Sequence, residues 1–326
     1  MEQNAESKKM KTMDAFGEFN LIAEIKKAFA KANGRLKVAI GDDTAVFEEK
    51  AERSLLATTD MMVEGIHFTS LLPPFKVGQK AITSNVSDIA AMGGKPLYGL
   101  VSVGLRKGVP VKYAKELING IKKEASKYKV DIIGGDTVSS KVNIINIALL
   151  GEVSGKKYAL RSGAKEGDFV MVTGNLGAGA AALLSKDIYI PKIHTAFAKE
   201  AVEKGLINGM IDISDGLSSE IHHLSKESGL GAFIDKKAIP LSSYTIRAAA
   251  RKRKDPYQLA LNGGEDYELL FSSQPKKLRK VLALAKRLSV KITVLGIMRS
   301  KRHGVKMAGL DGELKEIVRK GYDHFA

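Results

Sequence analysis

The sequence predicts an α/β protein of two domains, an N-terminal domain over residues 1–153 and a C-terminal α/β domain over residues 154–326. The first reason is length, because 326 residues exceed what one hydrophobic core usually serves. The second is the alternation of short apolar runs, typical of strands, with longer amphipathic stretches, typical of helices. The third is that this alternation starts again after Gly155. We therefore expect two α/β units joined near residue 153.

In the N-terminal half, periodicity predicts each element in order. Apolar residues recur at helical intervals over residues 20–32, with lysines on the opposite side, which predicts an amphipathic helix. Two more helices are predicted over 77–94, where two glycines close the helix, and over 111–129. Strands are predicted over 36–41, 54–60, 97–105, 130–138 and 142–153. The strand at 130–138 is expected to run into a Gly-Gly-Asp turn.

The C-terminal half repeats this rhythm. Strands are predicted over 167–174, 231–240 and 292–298, and helices over 176–185, 217–229 and 276–288. The glycines of residues 174–179 precede a helix and so are able to cradle a phosphate, although tight packing explains them equally well. They do not form a Walker A loop, because no Gly-Lys-Ser/Thr ends the run.

Composition excludes several classes of protein. The chain has no cysteine, which excludes disulfides, thiolate zinc sites and a cysteine nucleophile. Apolar runs stay shorter than the roughly 18–20 residues that a membrane span needs. The polar N-terminus lacks the apolar core of a secretory signal. We expect a cytoplasmic enzyme or binding protein with no membrane partner.

The net charge of +16 leaves three interpretations open. It is compatible with a lysine-rich solvated surface, with steering of phosphorylated small molecules, or with nucleic-acid binding through the basic run at 247–255. Aromatic residues are not interleaved with that run, and no RNA-binding signature is present. These two observations argue against nucleic acid as the main partner.

Aspartates recur at the ends of the predicted elements, beside glycine or hydroxyl residues. They are Asp43, Asp60, Asp88, Asp136, Asp212 and Asp215. Turn or cap chemistry explains any one of them. Aspartate is a poor strand residue, however, so the set as a whole occurs where local secondary-structure preference does not favour it. If the fold brings these carboxylates together, they need cations between them or a change of protonation. Mg²⁺ suits such a site because it prefers oxygen ligands.

The order of the motifs resembles the thiamine-monophosphate kinase family, in the superfamily of aminoimidazole ribonucleotide synthase and selenophosphate synthetase. The matching segments are "GEFNLI", "IGDDTA", "TTDMMVEGIHF", "NVSDIAAMGG", "GGDTVSS", "LRSGAKEGD", "VTGNLG", "IDISDGL", "LNGGEDYELLF" and "GYDHF". The resemblance implies a two-domain fold like that of aminoimidazole ribonucleotide synthase, in which the N-terminal sheet forms the core of a homodimer. It also implies ATP-dependent phosphorylation of thiamine monophosphate to thiamine diphosphate.

The resemblance assigns roles to particular positions. It implies magnesium ligands at Asp43, Thr58, Thr59, Asp60, Asp88, Asp136, Asp212 and Asp215. It implies nucleotide contacts at Gly135, Asp136, Arg161 and Ser214, and contacts to thiamine monophosphate at His67, Glu265 and Tyr322. Several Mg²⁺ ions are implied, while their number and any need for K⁺ are left open. Many family members carry an aromatic residue near the nucleotide where this chain has Ile118, which leaves the adenine contact unassigned.

The acceptor in this reaction is itself a phosphate, largely dianionic at neutral pH because its second pKa is about 6. We therefore assign no general base and expect direct in-line transfer from ATP, helped by Mg²⁺. Two alternatives remain: an ATP-dependent, amide-activating synthase of the same superfamily, and a basic RNA-binding protein.

Overall fold

The structure is a computed structural model that describes residues 18–29, 34–50 and 52–320. Within these ranges the helices are α1 Glu18–Ala28, α2 Pro74–Ala91, α3 Val111–Tyr128, α4 Ala178–Leu184, α5 Thr195–Glu203, α6 Leu217–Glu227, α7 Ser243–Arg251, α8 Pro256–Asn262 and α9 Leu278–Arg287. The strands of the first half are β1 Leu36–Val38, β2 Ala45–Lys50, β3 Arg53–Val63, β4 Lys95–Arg106, β5 Asp131–Ser140 and β6 Ile144–Ser154. Those of the second half are β7 Phe169–Thr173, β8 Met210–Asp212, β9 Leu230–Asp235, β10 Leu269–Ser273, β11 Ile292–Ser300, β12 Val305–Ala308 and β13 Leu314–Glu316.

The strands form two mixed sheets. The first has six strands in the order β1-β2-β3-β6-β4-β5, and the second has seven in the order β13-β12-β9-β11-β7-β10-β8. Pairing is antiparallel except for β4 with β5 and β9 with β12, which are parallel. This mixed α/β architecture with two sheets confirms the predicted fold class. The exact division near residue 153 stays a prediction.

Helix α2 lies between the two sheets. It packs on β3 and β6 of the first sheet and on α5 and β8 of the second half. Pro74 opens the helix at its first turn, where the missing N–H costs nothing. Most of its side chains are buried, as a helix covered on several sides requires.

Two glycines bring α2 against α3. A Cβ on Gly78 would lie 2.2 Å from the carbonyl oxygen of Leu117, and a Cβ on Gly120 would lie 1.9 Å from that of Phe75. Neither position has room for a side chain. The glycines thus set the distance between the two helices that cover one face of the first sheet.

The other face of the first sheet is open in the single chain. Strand β5 is exposed along almost its whole length, and apolar side chains on neighbouring strands are exposed as well. They include Tyr98 and Leu100 on β4 and Ile133 and Val138 on β5. A sheet face with this many exposed apolar residues is typical of an interface.

The expected turn at Gly134, Gly135 and Asp136 is wrong, because β5 continues through these residues to Ser140. The pairing of β5 with β4 shifts register between Gly99 and Leu100, which marks a β-bulge. At Gly135, φ is +156° and a Cβ would meet the carbonyl oxygen of Val101 at 1.7 Å. Glycine lets the strand pass this close approach instead of turning.

One apolar core runs through both halves of the chain. It contains Met92 and Leu149 from the first half and Phe197 and Phe271 from the second, and the two phenylalanine rings lie 5.8 Å apart between centroids. A second, smaller core lies within the C-terminal half. In the part of the chain that the structure describes, helices long and apolar enough to cross a bilayer are absent.

Candidate active site

A cavity of about 1140 Å³ opens between the two sheets. Among the described residues, eight acidic side chains line it: Glu18, Asp42, Asp43, Asp60, Asp88, Asp212, Asp215 and Glu265. Two basic side chains, Lys80 and Arg161, also line it. This imbalance occurs in a chain whose net charge is +16, so the cavity is an acidic site on a basic protein.

Three aspartates form a cluster at the centre of this lining. Asp43 comes from the loop before β2, Asp88 from the last turn of α2 and Asp212 from the end of β8. One carboxylate oxygen of each lies within 4.8 Å of those of the other two. Asp43 and Asp212 are buried and Asp88 is half-buried. The predicted convergence of acids from both halves is present for these three residues.

Short hydrogen bonds hold each member of the cluster. The hydroxyl of Thr58 donates to Asp88 at 2.6 Å, and that of Ser87 donates to Asp212 at 2.6 Å. The Arg161 guanidinium donates to Asp43 at 2.7 Å. These contacts fix the carboxylates but leave most of their mutual repulsion in place, because one cation faces several anions.

Burial, with the charges of neighbouring carboxylates for most of them, raises the pKa of several of these carboxyls. Burial, followed by the charges of Asp60, Asp212 and Asp43, raises the pKa of Asp88 well above its ordinary value. Burial and the charge of Asp43 raise the pKa of Asp212 to about 8. The same two causes raise the pKa of Asp42 to about 7. Burial also raises the pKa of Asp60, which Ser84 opposes by a hydrogen bond.

The donor set fits a hard divalent cation. Asp43 Oδ2 and Arg161 Nε are buried and make no hydrogen bond within the described part of the chain. A buried carboxylate oxygen without a partner is costly, and a cation in the cluster would remove that cost. Carboxylate and hydroxyl oxygens are the ligands that Mg²⁺ prefers.

The loop after β8 extends the acidic lining. Ser214 and Asp215 both line the cavity, and the backbone N–H of Asp215 donates to Glu220 Oε1 at 3.2 Å. Burial and the charges of Asp215 and Asp212 raise the pKa of Glu220 well above its ordinary value. This part of the lining is therefore also short of positive charge.

His67 and Glu265 line the same cavity. His67 Nδ1 accepts a hydrogen bond of 3.0 Å from the backbone N–H of Val63, so a neutral His67 carries its proton on Nε2. Glu265 forms an ion pair with Lys80, which is buried on α2. Both of these predicted acceptor contacts are thus held by other parts of the chain.

Other predicted residues are not brought to the cluster within one chain. Asp136 is exposed on β5, where its carboxylate accepts from the backbone N–H of Thr137, and Gly135 is exposed beside it. Thr59 lines the cavity, but its hydroxyl lies within hydrogen-bond distance of Asn146 Oδ1 and of the Ile147 carbonyl oxygen, either of which can accept its proton. Tyr322 lies outside the described residues.

Ile118, at the position of the missing aromatic residue, is 56% exposed on α3 and does not belong to the lining that the described residues form. The adenine contact therefore stays unassigned.

Sequence reasoning missed four residues of the site: Lys80, Ser84, Glu220 and Tyr267. Lys80 and Ser84 had a usable signal, because they precede Asp88 at four-residue spacing and so share its face of the predicted helix. Tyr267 and Glu220 gave no such signal. Burial and the charges of Glu265, Asp60, Asp212 and Asp88 raise the pKa of the Tyr267 hydroxyl well above its ordinary value.

Both the sequence and the structure are similar to those of known proteins. The N-terminal domain model of the AIR synthase related proteins matches residues 41–153, and the C-terminal domain model matches residues 165–308. Thiamine-monophosphate kinase of Buchnera aphidicola (subsp. Schizaphis graminum) is 34% identical over 95% of this chain and 99% of its own. The Aquifex aeolicus thiamine-monophosphate kinase is 33% identical over 95% of this chain and 98% of its own. A solved structure of AaThiL complexed with AMPPCP and TMP superposes with a TM-score of 0.84 at 33% identity, covering 98% of this chain and 100% of that one.

Proposed function

The chain belongs to the AIR synthase related family and, within it, to the thiamine-monophosphate kinases, and we infer that it uses ATP to phosphorylate thiamine monophosphate to thiamine diphosphate. Both domain models match, and the similarity to the kinases covers nearly the whole chain. The solved relative with AMPPCP and TMP has the same fold over 98% of this chain. The amide-activating synthase and the RNA-binding protein are not favoured.

The observation that carries this function in the structure is the cluster of Asp43, Asp88 and Asp212 inside the large acidic cavity. A phosphoryl donor and a phosphorylated acceptor bring several negative charges together. At about 4 Å and an effective dielectric constant of about 20, each pair of like charges costs about 4 kcal/mol. Divalent cations between the carboxylates and the phosphates would remove most of this repulsion.

We propose that the cluster holds Mg²⁺, with Asp60, Asp215 and the Thr58 hydroxyl, which line the same cavity, as additional ligands. When bound, Mg²⁺ would neutralise the phosphates and stabilise the charge that develops during transfer. The proposed ligands come from α2, β3 and β8 and from the loops before β2 and after β8, so most of them are held by helices and strands. The number of ions and any need for K⁺ are open.

The chain's own residues then act by binding and orientation. A phosphate acceptor is already an anion near neutral pH, since its second pKa is about 6, and it needs no general base. Arg161, held against Asp43, is placed at the same end of the cavity as the cluster and is proposed to contact ATP, together with Ser214. His67, whose Nε2 carries the proton when the ring is neutral, and Glu265 both line the cavity and are proposed to contact thiamine monophosphate. We propose a single in-line displacement, with no phosphorylated side chain.

We further propose that two copies associate through the open face of the first sheet. Asp136, Ser102 and Asn146 lie side by side on this face, next to exposed Leu100, while Thr59 and Met61 reach the rim of the cavity. Asp136 is exposed on this face and is not part of the cavity lining that the described residues of its own chain form, and a second copy on this face would bring Asp136 of the partner subunit towards the cavity. This assignment explains why Gly135 and Asp136 lie apart from the cluster in one subunit. We also place the protein in the cytoplasm, where ATP is available.

Purified protein tests the function directly. With ATP and Mg²⁺ it should convert thiamine monophosphate to thiamine diphosphate, measured by chromatography of the product and by ADP release. Formylglycinamidine ribonucleotide, the substrate of the alternative synthase, should release no ADP. Transfer of a chiral γ-phosphate should invert its configuration, whereas retention would reject the single displacement.

A further inference from the structure

Lys80 is a fully buried lysine on α2. Its side chain is 2% exposed and is among the largest fully buried side chains of the described residues. Lysine is almost never buried to this degree unless its charge is paired. We therefore expect the buried ammonium group to have charged or polar partners.

The Lys80 ammonium has two partners, and both belong to residues proposed to contact thiamine monophosphate. It forms an ion pair with the Glu265 carboxylate, and it donates to the carbonyl oxygen of His67 at 3.3 Å. His67 and Glu265 are far apart in sequence and lie in different halves of the chain. One buried cation thus connects both proposed acceptor contacts.

The backbone around Glu265 is fixed independently of Lys80. Glu265 has φ +71° and Tyr267 has φ +51°. Both angles lie in the left-handed region, which residues other than glycine rarely adopt. Between them, Asp266 accepts hydrogen bonds from the backbone N–H groups of Gly177 at 2.6 Å and Gly179 at 3.0 Å. The loop is therefore anchored, and the direction of the Glu265 side chain is what Lys80 sets.

Lys80 also lies on the same face of α2 as Asp88, a member of the aspartate cluster. Lys80, Ser84 and Asp88 are spaced four residues apart, so they share one face of α2 and all line the cavity. Eight residues at a rise of about 1.5 Å place Lys80 roughly 12 Å along the helix from Asp88. Because α2 is rigid, this spacing is constant.

We propose that Lys80 is a positioning residue for the acceptor: it holds the Glu265 carboxylate and the His67 backbone at a fixed distance from the aspartate cluster, so that bound thiamine monophosphate presents its phosphate to the cluster. The inference rests on the proposed function. It predicts that loss of the Lys80 charge affects use of thiamine monophosphate far more than use of ATP.

The test compares steady-state kinetics of Lys80→Met, Lys80→Arg, Glu265→Gln and the double variant Lys80→Met/Glu265→Gln. Lys76→Met is the matched control, because Lys76 lies on the same helix and pairs with Asp187 at the surface. Misplacement of a bound substrate by about 1 Å costs about 100-fold in rate, so kcat/KM for thiamine monophosphate should fall by about that factor in Lys80→Met. The KM for ATP should stay within about twofold, as it should for both substrates in Lys76→Met.

The double variant tests whether Lys80 acts through Glu265. In Lys80→Met the Glu265 carboxylate is left without its counter-charge, whereas the neutral pair in Lys80→Met/Glu265→Gln removes that strain. The double variant should therefore be less impaired with thiamine monophosphate than the product of the two single effects. Lys80→Arg, which keeps the charge, should be closer to the wild type than Lys80→Met, and melting temperatures identify variants that fail to fold.

The outcomes distinguish this inference from the proposed function. A wild-type protein that does not turn over thiamine monophosphate would reject both. Wild-type turnover, with the KM for ATP raised in Lys80→Met as much as the KM for thiamine monophosphate and with strictly multiplicative effects in the double variant, would overturn the role of Lys80 alone.

Discussion

The hydroxyl of Ser87 donates a 2.6 Å hydrogen bond to the carboxylate of Asp212. Ser87 lies on α2 against the first sheet, whereas Asp212 ends β8 of the second. The neighbour of Ser87 in sequence, Asp88, joins Asp212 in the aspartate cluster. The site therefore exists only where the two halves of the chain meet, and its chemistry requires both.

Replacing Asp88 with asparagine should abolish most activity without harming the fold. We expect kcat to fall by at least about 100-fold, as when a group that stabilises developing charge is lost. The melting temperature of the metal-free protein should stay the same or rise, because the amide removes one of the charges that repel each other in the cluster. Enzyme assays and calorimetry measure the two effects. Asp187→Asn, a surface change, should alter neither, and full activity in Asp88→Asn would remove Asp88 from the site.

Metal-free protein should lose stability as pH rises, and Mg²⁺ should restore it. In the folded chain the pKa of Asp212 is raised to about 8 and that of Asp42 to about 7, from 3.8. Between about pH 4 and about pH 8 the folded state therefore binds more protons than the unfolded state. The contribution of these two carboxyls to the free energy of unfolding is fully present below about pH 4 and is lost as pH rises through their folded pKa values.

Melting temperatures measured from about pH 5 to about pH 8, with and without Mg²⁺, check this linkage. The metal-free protein should melt lower at pH 8, and Mg²⁺ should raise the melting temperature more at pH 8 than at pH 5, because the metal binds ionised carboxylates. In Asp212→Asn the pH dependence should be weaker. An Mg²⁺ effect that is equal at both pH values would contradict the assignment of the cluster as the metal site.

If Asp136 acts on the partner subunit, two inactive variants should complement each other. Asp88→Asn and Asp136→Asn are each expected to be inactive as homodimers. After subunit exchange half of the dimers are mixed, and each mixed dimer has one complete site, so about a quarter of wild-type activity should return. Activity before and after mixing, together with light scattering, gives the measurement. A monomer in solution, or mixing without any recovery, would reject the contribution in trans.

Gly120→Ala should destabilise the fold because the added Cβ would lie 1.9 Å from the carbonyl oxygen of Phe75. Overpacking of this kind costs about 2 kcal/mol in free energy of unfolding, measurable by urea denaturation. Asn119→Ala is the control, since residue 119 is exposed on the same helix and alanine is the better helix former. Equal stability of the two variants would mean that α2 and α3 can separate at little cost.

The sequence was sufficient for the fold class and for selecting three aspartates that the structure brings together. Strands and helices have different periodicities, and these are visible without knowledge of tertiary contacts. Aspartates at strand ends stand out because local preference does not favour them there, so Asp43 and Asp212 could be selected. Asp88 was selected in the same way, at the end of a helix.

What could not be predicted depends on long-range packing. Lysine in a helix is usually a surface residue, and only the meeting of α2 with the loop of Glu265 buries Lys80. Glycine next to glycine usually indicates a turn, whereas the pairing with β4 makes Gly135 part of a strand. The place of Asp136 on an exposed strand follows from the arrangement of the sheet and not from its neighbours in sequence.

The apolar core that includes Met92 and Phe271 crosses from one sheet to the other without interruption. A chain built this way has no plane along which its halves can come apart while each stays folded. Heating should therefore give one endotherm, and a gene truncated after the first sheet should yield a product that aggregates. A hinge motion between the halves would expose this shared core to water, so we expect substrate to enter through movement of loops at the mouth of the cavity.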